Sequence, residues 1–135
     1  EKFAGFKEKL VRDNETKYGK EIREKYGDEV VEASNAKLMG LTEAEYGEAE
    51  KLATEIIESL TAAVGNEDPA GTEGRRIAEL HRKWLSFYWK DYSKEAHAGL
   101  AEMYVADERF AAYYDQHKEG AAEFFRDAIV AYTKQ

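Results

Sequence analysis

The sequence predicts an all-α protein, and three observations support that prediction. Apolar residues recur every three or four positions through most of the chain, which is the spacing of one helix face. Residues that commonly cap helices stand ahead of several of these stretches. No alternating run of β-branched residues is long enough to form a useful strand. At 135 residues the chain has the size of a single domain with a core of its own.

The N-terminal third predicts short amphipathic helices that carry few large apolar side chains. One is expected around Phe3–Leu10, a second around Tyr18–Tyr26 and a third around Val30–Leu38. Three glycines interrupt this region, and each costs up to ~1 kcal/mol in a helix interior. We therefore expect residues 1–65 to be the looser part of the domain, dependent on packing against the rest of the chain or against a ligand.

A longer helix and a loop follow. Thr42-Glu43-Ala44-Glu45 forms a capping box, in which the hydroxyl and the carboxylate each satisfy a free backbone amide of the first turn. Apolar residues then continue at helical spacing from Ala49 to Val64. Residues 66–71 contain the single proline, Pro69, and predict a loop. At this chain length such a loop joins two helices more often than two domains.

Residues 72–135 are expected to form an aromatic-rich helical core. Ser93 and Asp107 are each placed to cap a helix. The apolar positions that define the four helices are Ile77, Leu80, Trp84 and Tyr88; His97, Leu100 and Tyr104; Phe110, Tyr113 and Tyr114; and Phe125, Ala128, Ile129 and Tyr132.

Aromatic residues are concentrated in one part of the chain. Nine of the 17 fall within residues 84–114, and the segment Trp84–Trp89 is apolar nearly all round a helix. A crowded aromatic core explains this pattern. A cavity wall that carries a few polar hydroxyl and indole groups, as in small-molecule sites, also explains it. From the residues alone the crowded core is favoured.

The three histidines show no metal-binding spacing. His81, His97 and His117 form neither His-x-x-x-His nor His-Glu-x-x-His. The simplest interpretation of His81 and His97 is interior side chains with one hydrogen-bonded nitrogen. A haem-binding bundle would also hold a buried histidine, but one unsupported histidine is weak support for it. We expect no metal and no cofactor.

Catalytic chemistry finds no support in the sequence. The chain has no cysteine, which excludes thiol catalysis, disulfides and thiolate metal sites. Neither Gly-x-Ser-x-Gly nor a glycine-rich phosphate motif occurs, and no nucleophile–base pair is visible. The basic residues at positions 75–76 and 82–83 are interpreted as surface solvation rather than a phosphate site. We expect that the protein is not an enzyme.

Charge and hydropathy limit the partners. The net charge is −8, and residues 27–68 alone carry two basic and eleven acidic groups. This balance argues against nucleic-acid binding by this chain alone. No apolar run approaches the ~18 residues of a membrane span, and no signal peptide opens the chain. The first residue is Glu1 rather than Met, so we expect the chain to be part of a longer protein.

Two stretches carry a resemblance to a known family. Residues 81–88 and 92–110, the latter with the string His-x-Gly-Leu-x-x-Met-Tyr-Val-x-Asp-x-Arg-Phe over residues 97–110, resemble the TipAS antibiotic-recognition domain. Residues 20–27 resemble the family's N-terminal signature. Gly120 and Phe125–Ile129 resemble its closing helix. The resemblance covers nearly the whole chain, and the long string is far more specific than any short motif.

The resemblance implies a globin-like all-helical fold without haem. It implies the C-terminal effector domain of a MerR-type transcription activator, which acts in the cytoplasm. Related domains bind thiopeptides or other bulky apolar antibiotics in a deep cleft, and their N-terminal helices tend to order around the ligand. The implied partners are a small antibiotic, DNA through a separate N-terminal domain, and a second copy in the full-length homodimer.

Two departures from the family pattern matter. Some members hold a dehydroalanine-bearing antibiotic through a cysteine, whereas the corresponding motif places here are Tyr92 and Gly99. Thiol capture is therefore excluded, and binding is expected to be reversible. Glu108 stands where the family often has proline, which would pre-organise the first helical position.

These considerations give an expected ligand cleft with aromatic walls. Trp89 is expected to face outward, where it could meet a partner protein. One wall would hold Trp84, Phe87, Tyr88 and Tyr92; the other would hold His97, Leu100, Met103 and Tyr104; Phe110, Tyr113 and Tyr114 would close one end.

Two other functions stay open at this point. A stand-alone protein that sequesters the antibiotic would protect a cell by mass action alone. A helical protein-interaction module would present an exposed apolar patch instead of a pocket.

Overall fold

The computed structural model describes all 135 residues and contains seven helices and no strand, which confirms the all-α prediction. The helices are α1 (Lys2–Tyr26), α2 (Asp28–Gly40), α3 (Glu43–Ala63), α4 (Thr72–Leu85), α5 (Lys94–Ala106), α6 (Glu108–Asp115) and α7 (Ala121–Thr133).

The chain divides into two compact units. The first comprises Glu1–Ala49 and Ser86–Asp91, and the second comprises Glu50–Leu85 and Tyr92–Gln135. The first unit thus takes α1, α2, the start of α3 and the short segment after α4. The second takes the remainder of α3 with the other four helices.

The first unit begins with one long helix where two were expected. The stretches around Phe3–Leu10 and Tyr18–Tyr26 are parts of a continuous 25-residue α1, so the prediction of two helices was wrong. Glycine lowers helix propensity but does not block the backbone hydrogen bonds as proline does, and α1 packs along α2. The chain reverses at Gly27, whose φ of 89° lies in the left-handed region that favours glycine.

Two cations of α1 hold the first unit together. The buried ammonium of Lys7 donates to the carbonyl oxygens of Met39 (2.6 Å) and Leu41 (2.9 Å), at the C-terminal end of α2. Those carbonyls have no partner within the helix, so Lys7 serves as a cap. Arg23 pairs with Glu15 and, across the turn, with Asp28 and Glu32 (3.0 and 2.8 Å).

α1 buries little apolar surface. The buried residues of α1 are Lys7 and Gly19, neither of which contributes an apolar side chain to a core. Phe6 stays 44% exposed although its ring meets Tyr46 at 5.5 Å. α1 therefore contributes little to an apolar core, and the looseness expected of residues 1–65 stays a prediction.

The predicted capping box and loop are both present. The amide of Thr42 donates to the Glu45 carboxylate (2.9 Å), and the amide of Glu45 donates to the Thr42 hydroxyl (3.1 Å). In the loop after α3, the carbonyl of Pro69 lies so near Gly74 that a Cβ added there would approach its oxygen to 1.7 Å. Glycine is therefore required where the loop crosses the first turn of α4.

The second unit is built around α7, against which α4 and α5 pack. Ser93 and Asp107 cap α5 and α6 by accepting from the amides of Ala96 (3.0 Å) and Arg109 (2.9 Å), as predicted. α6 begins at Glu108 directly behind its cap. The largest fully buried side chains of this core are Phe125, Leu60, Ile77, Leu85, Ile129, His81 and His97.

The segment Trp84–Trp89 is not one helix. α4 ends at Leu85, so Phe87, Tyr88 and Trp89 lie in a turn beyond it, and the helical periodicity extended to Tyr88 was wrong. Within the first unit, the Lys37 ammonium donates to the carbonyl oxygens of Ser86 (2.7 Å) and Trp89 (2.9 Å). Because these carbonyl groups are satisfied by Lys37 and not by helical hydrogen bonds, the chain forms a turn here and α4 does not continue.

Candidate functional site

Aromatic rings of the second unit pack into a continuous cluster around Phe125. Tyr114 lies 5.1 Å from Phe125 and 5.1 Å from Tyr104, measured between ring centroids. Phe110 meets Tyr104 at 5.8 Å, and the imidazole of His81 meets Phe125 edge-on at 4.7 Å. Four helices, α4, α5, α6 and α7, thus contribute rings to one aromatic core.

A chain of hydrogen bonds crosses this core. The hydroxyl of Tyr92 lies 2.7 Å from His97 Nδ1, and His97 Nε2 lies 2.9 Å from His81 Nδ1. His81 Nε2 lies 3.1 Å from the hydroxyl of Tyr104. The prediction that both histidines are interior was correct, but each uses both ring nitrogens instead of one.

The surroundings keep both imidazoles neutral. Burial lowers the pKa of His81 well below its usual range, and the neighbouring His97 lowers it further. Burial, followed by the positive charge of Arg82, lowers the pKa of His97 to about 4. At neutral pH each ring therefore carries one hydrogen, on one of its two nitrogens.

Tyr92 forms the outer end of this chain. Its side chain is partly exposed, whereas His97 and His81 are almost completely buried. The guanidinium of Arg82 lies 4.3 Å above the Tyr92 ring and donates to the hydroxyl of Tyr132 (3.2 Å). Burial raises the pKa of Tyr92, so its hydroxyl stays protonated at neutral pH. The surface at Tyr92 therefore carries the guanidinium of Arg82 beside the phenol of Tyr92.

The expected cleft residues differ widely in exposure. Four that were expected to line a wall or an end are core residues: His97, Leu100, Tyr104 and Tyr114. Tyr113 is half exposed. Partly exposed side chains belong to Trp84, Phe87, Tyr88, Tyr92, Met103 and Phe110.

The expected two-wall arrangement also differs in its contacts. Tyr92 and His97 were expected on opposite walls, but they are hydrogen-bonded to each other. Phe87 and Tyr88 belong to the first unit, and the other nine expected residues belong to the second. The Trp84 ring stacks on His81 at 5.4 Å, so it continues the aromatic core toward the edge of α4.

Several residues of the cluster were not among those expected. His81 and Phe125 were interpreted as core, Arg82 as surface solvation and Tyr132 as part of a helix face. Two spacings in the sequence indicated that some of these residues lie together, without showing which residues they contact. His81 and Trp84 are three residues apart on α4, and Phe125 and Tyr132 are seven residues apart on α7. Both spacings place a pair on one helix face.

An open cavity of about 380 Å³ lies elsewhere on α4. Its lining includes none of the expected ligand residues. Arg76, in that lining, is paired with Glu73 and Glu55 and donates to the hydroxyl of Ser59. The lining comprises Thr72, Arg75, Arg76, Glu79, Leu80 and Lys83. This supports the interpretation of the basic residues as solvated surface.

The fold shows neither a metal-binding cluster nor a membrane-spanning helix. No group of three or more His, Cys, Asp or Glu side chains is arranged to hold a metal ion. No helix has the length and the apolar composition that crossing a membrane requires.

Comparisons with known proteins bear on the function. The family model of the TipAS antibiotic-recognition domain matches residues 18–132. The HTH-type transcriptional activator TipA of Streptomyces coelicolor, like that of Streptomyces lividans, is 34% identical over 116 residues, which is 84% of this chain and 46% of the relative. The HTH-type transcriptional activator mta of Bacillus subtilis is 27% identical over 130 residues, 96% of this chain and 50% of the relative.

The fold is also similar to that of a solved structure. TipAS from Streptomyces lividans, solved in complex with nosiheptide as part of a thiopeptide antibiotic resistance system, superimposes with a TM-score of 0.67 and 31% identity. The match covers 89% of this chain and 85% of that one. The chain spans about half the length of the curated relatives it matches.

Proposed function

Since this chain belongs to the TipAS antibiotic-recognition domain family, we propose that it is the ligand-sensing effector domain of a drug-responsive, MerR-type transcription activator. The observation that carries the proposal is the likeness, in sequence and in fold, to a domain solved with a thiopeptide bound. DNA binding would come from a part of the protein outside these residues, in a homodimer that acts in the cytoplasm. The function requires no enzymatic step.

The proposed ligands are bulky apolar antibiotics, with thiopeptides as the first candidates. Their flat heteroaromatic rings would stack on partly exposed aromatic side chains, and a few polar groups would orient them. In the second unit Trp84, Tyr92, Met103 and Phe110 are partly exposed and thus open to such contacts. Tyr113, half exposed, is a further candidate, as are Phe87 and Tyr88 of the first unit.

The buried residues would support the ligand contacts from behind. His97, Leu100, Tyr104 and Tyr114 pack within the core, where they fix the positions of the partly exposed rings. Because the chain has no cysteine, binding would be reversible. Affinity would then depend on apolar contact area and on hydrogen bonds to groups such as Tyr92.

Titration with nosiheptide tests this proposal. We expect a saturable rise in the melting temperature of the purified domain and a binding isotherm by calorimetry. Trp84→Ala should weaken binding strongly. Trp89→Ala is the matched control, since Trp89 is the other tryptophan and is not among the proposed ligand residues. If nosiheptide and a panel of other thiopeptides all leave the melting temperature unchanged, the sensing function is wrong.

A further inference from the structure

Tyr26, in the first unit, has a polar atom that the fold leaves unpaired. Its hydroxyl oxygen is buried and has no hydrogen-bond partner within the protein. The side chain as a whole is nevertheless partly exposed. This reverses the usual placement of a tyrosine, which buries its ring and keeps its hydroxyl in water or on a partner. A buried hydroxyl without a partner has lost its hydration and gained no bond in exchange.

A buried polar group elsewhere on α1 shows the contrast. The ammonium of Lys7 donates to the carbonyl oxygens of Met39 and Leu41, so hydrogen bonds compensate for its burial. Buried polar groups in folded proteins nearly always have such partners, and an exception calls for a reason. For Tyr26 no such partner lies within the chain, which makes a bound molecule a candidate for that role.

The hydroxyl of Tyr26 is suited to donate a hydrogen bond. Burial raises the pKa of Tyr26, so the phenol keeps its hydrogen at neutral pH. The ammonium of Lys25 lies 5.6 Å from the centre of the Tyr26 ring, and its charge favours a nearby group with partial negative charge. Asp28, two residues further along the chain, is paired with Arg23 (3.0 Å) and not with this hydroxyl.

The position of Tyr26 at the end of α1 makes its hydroxyl reachable. Tyr26 is the last residue of the helix, and Gly27 follows with a φ of 89°. No atom lies within 4 Å of the place where a Cβ would stand on Gly27, so there is open space beside this turn. The buried residues of α1 are Lys7 and Gly19, neither of which lies in its last turn. Little burial therefore opposes a movement that uncovers the hydroxyl.

We propose that Tyr26 is a ligand contact in the first unit, and that the bound antibiotic supplies a hydrogen-bond acceptor to its hydroxyl. An amide carbonyl oxygen or an azole nitrogen fits this chemistry. The proposal rests on the proposed ligand-sensing function and adds a contact residue and the kind of group that it recognises. Because the hydroxyl has no partner in the free domain, the bond to the ligand replaces no bond within the protein.

The stability of Tyr26→Phe without ligand tests whether the hydroxyl is unpaired. This variant keeps the ring and removes only the oxygen. We expect an unchanged or higher melting temperature, because no hydrogen bond is lost and a buried polar atom is removed. A lower melting temperature would show that the hydroxyl has a partner in the free domain, such as a buried water molecule, and would overturn the inference.

Binding of nosiheptide tests the contact, and Tyr18 offers a matched control. Tyr18 lies on the same helix, is also partly exposed, and has the ammonium of Lys17 5.9 Å from the centre of its ring. Its hydroxyl is not a buried atom without a partner. In calorimetry we expect Tyr26→Phe to weaken the affinity by roughly 3- to 10-fold and Tyr18→Phe to leave it unchanged.

The possible outcomes distinguish this inference from the proposed function. If the wild type binds nosiheptide and Tyr26→Phe binds it equally well, the inference is wrong and the proposed function stands. Equal weakening by Tyr18→Phe also counts against the inference, since the loss is then not specific to the unpaired hydroxyl. If the wild type binds neither nosiheptide nor any other thiopeptide of the panel, the proposed function fails, and the inference that rests on it fails too.

Discussion

Nδ1 of His81 and Nε2 of His97 lie 2.9 Å apart in the interior of the second unit, where both side chains are almost completely buried. The pair can be accommodated because one neutral ring donates to the other. Adding a proton to either ring would remove the acceptor and place a positive charge in an aromatic core. The pair therefore links the stability of the domain to pH.

Stability should fall as the pH is lowered from about 6.5 towards 4. His97 has a pKa of about 4 in the folded chain against 6.5 as its ordinary value, so the unfolded chain binds the proton first. The stabilisation is fully present above pH 6.5 and is lost progressively below it, by ~3 kcal/mol for His97. Urea unfolding at a series of pH values measures this loss.

Two variants separate this effect from other titrations. His97→Gln should reduce the pH dependence between pH 6.5 and 4.5 to the part that His81 contributes. His117→Gln changes an exposed residue outside the pair and serves as the control. The pKa values of Glu15 and Asp107 are held below their usual range by Arg23 and Arg109, so these carboxylates contribute only at lower pH. A free energy of unfolding that is constant from pH 7 to 4.5 in the wild type would contradict the prediction.

Lys7→Met should loosen the first unit. The ammonium of Lys7 donates to the carbonyl oxygens of Met39 and Leu41, and losing these charge-assisted bonds should cost about 2 to 3 kcal/mol. Lys9→Met is the matched control, since Lys9 is exposed and pairs only with Asp13 one turn away, for which we expect a change below ~0.5 kcal/mol. Amide hydrogen exchange of α2 reports the difference. Equal protection in the two variants would show that Lys7 does not act as a cap.

Gly74→Ala should destabilise the second unit. A Cβ at this position would lie 1.7 Å from the carbonyl oxygen of Pro69, so the loop would have to move, at a cost of about 3 kcal/mol. Gly5→Ala is the opposite case: no atom lies near the added Cβ, and alanine favours the helix by up to ~1 kcal/mol. Melting temperatures of the two variants should therefore shift in opposite directions. A Gly74→Ala protein as stable as the wild type would mean that the loop adapts without strain.

Hydrogen exchange should be faster in α1 than in α7 when no ligand is present. α1 buries only Lys7 and Gly19, whereas α7 buries six residues that include Phe125 and Ile129. The free energy of local opening is lower in a segment that buries fewer side chains. We further expect nosiheptide to raise the protection of residues 1–40, since ordering α1 and α2 would consume part of the binding free energy. Protection of α1 equal to that of α7 in the free domain would exclude coupled ordering.

The local features of the fold followed from the sequence. The capping box at Thr42 and Glu45, the caps at Ser93 and Asp107, and the apolar face of α7 were each predicted and are present. These features depend on residues within one or two helical turns of each other. The local sequence is therefore enough to predict them.

Local patterns failed where distant residues decide the conformation. The periodicity around Trp84 predicted a helix through Tyr88, but α4 ends at Leu85, and the carbonyl groups of Ser86 and Trp89 accept from Lys37, some 50 residues earlier. The two short helices expected in α1 are one, because its packing against α2 outweighs the low propensity of its glycines.

By itself, the sequence established an all-helical domain, its caps and its loop, and the string over residues 97–110 indicated the family. Only the tertiary structure showed that Tyr92, His97, His81 and Tyr104 are joined in one hydrogen-bonded chain, and that four of the expected ligand residues are core. The reason is physical: helical spacing says which side chains share a face, whereas burial and hydrogen-bond partners depend on the helices that cover that face.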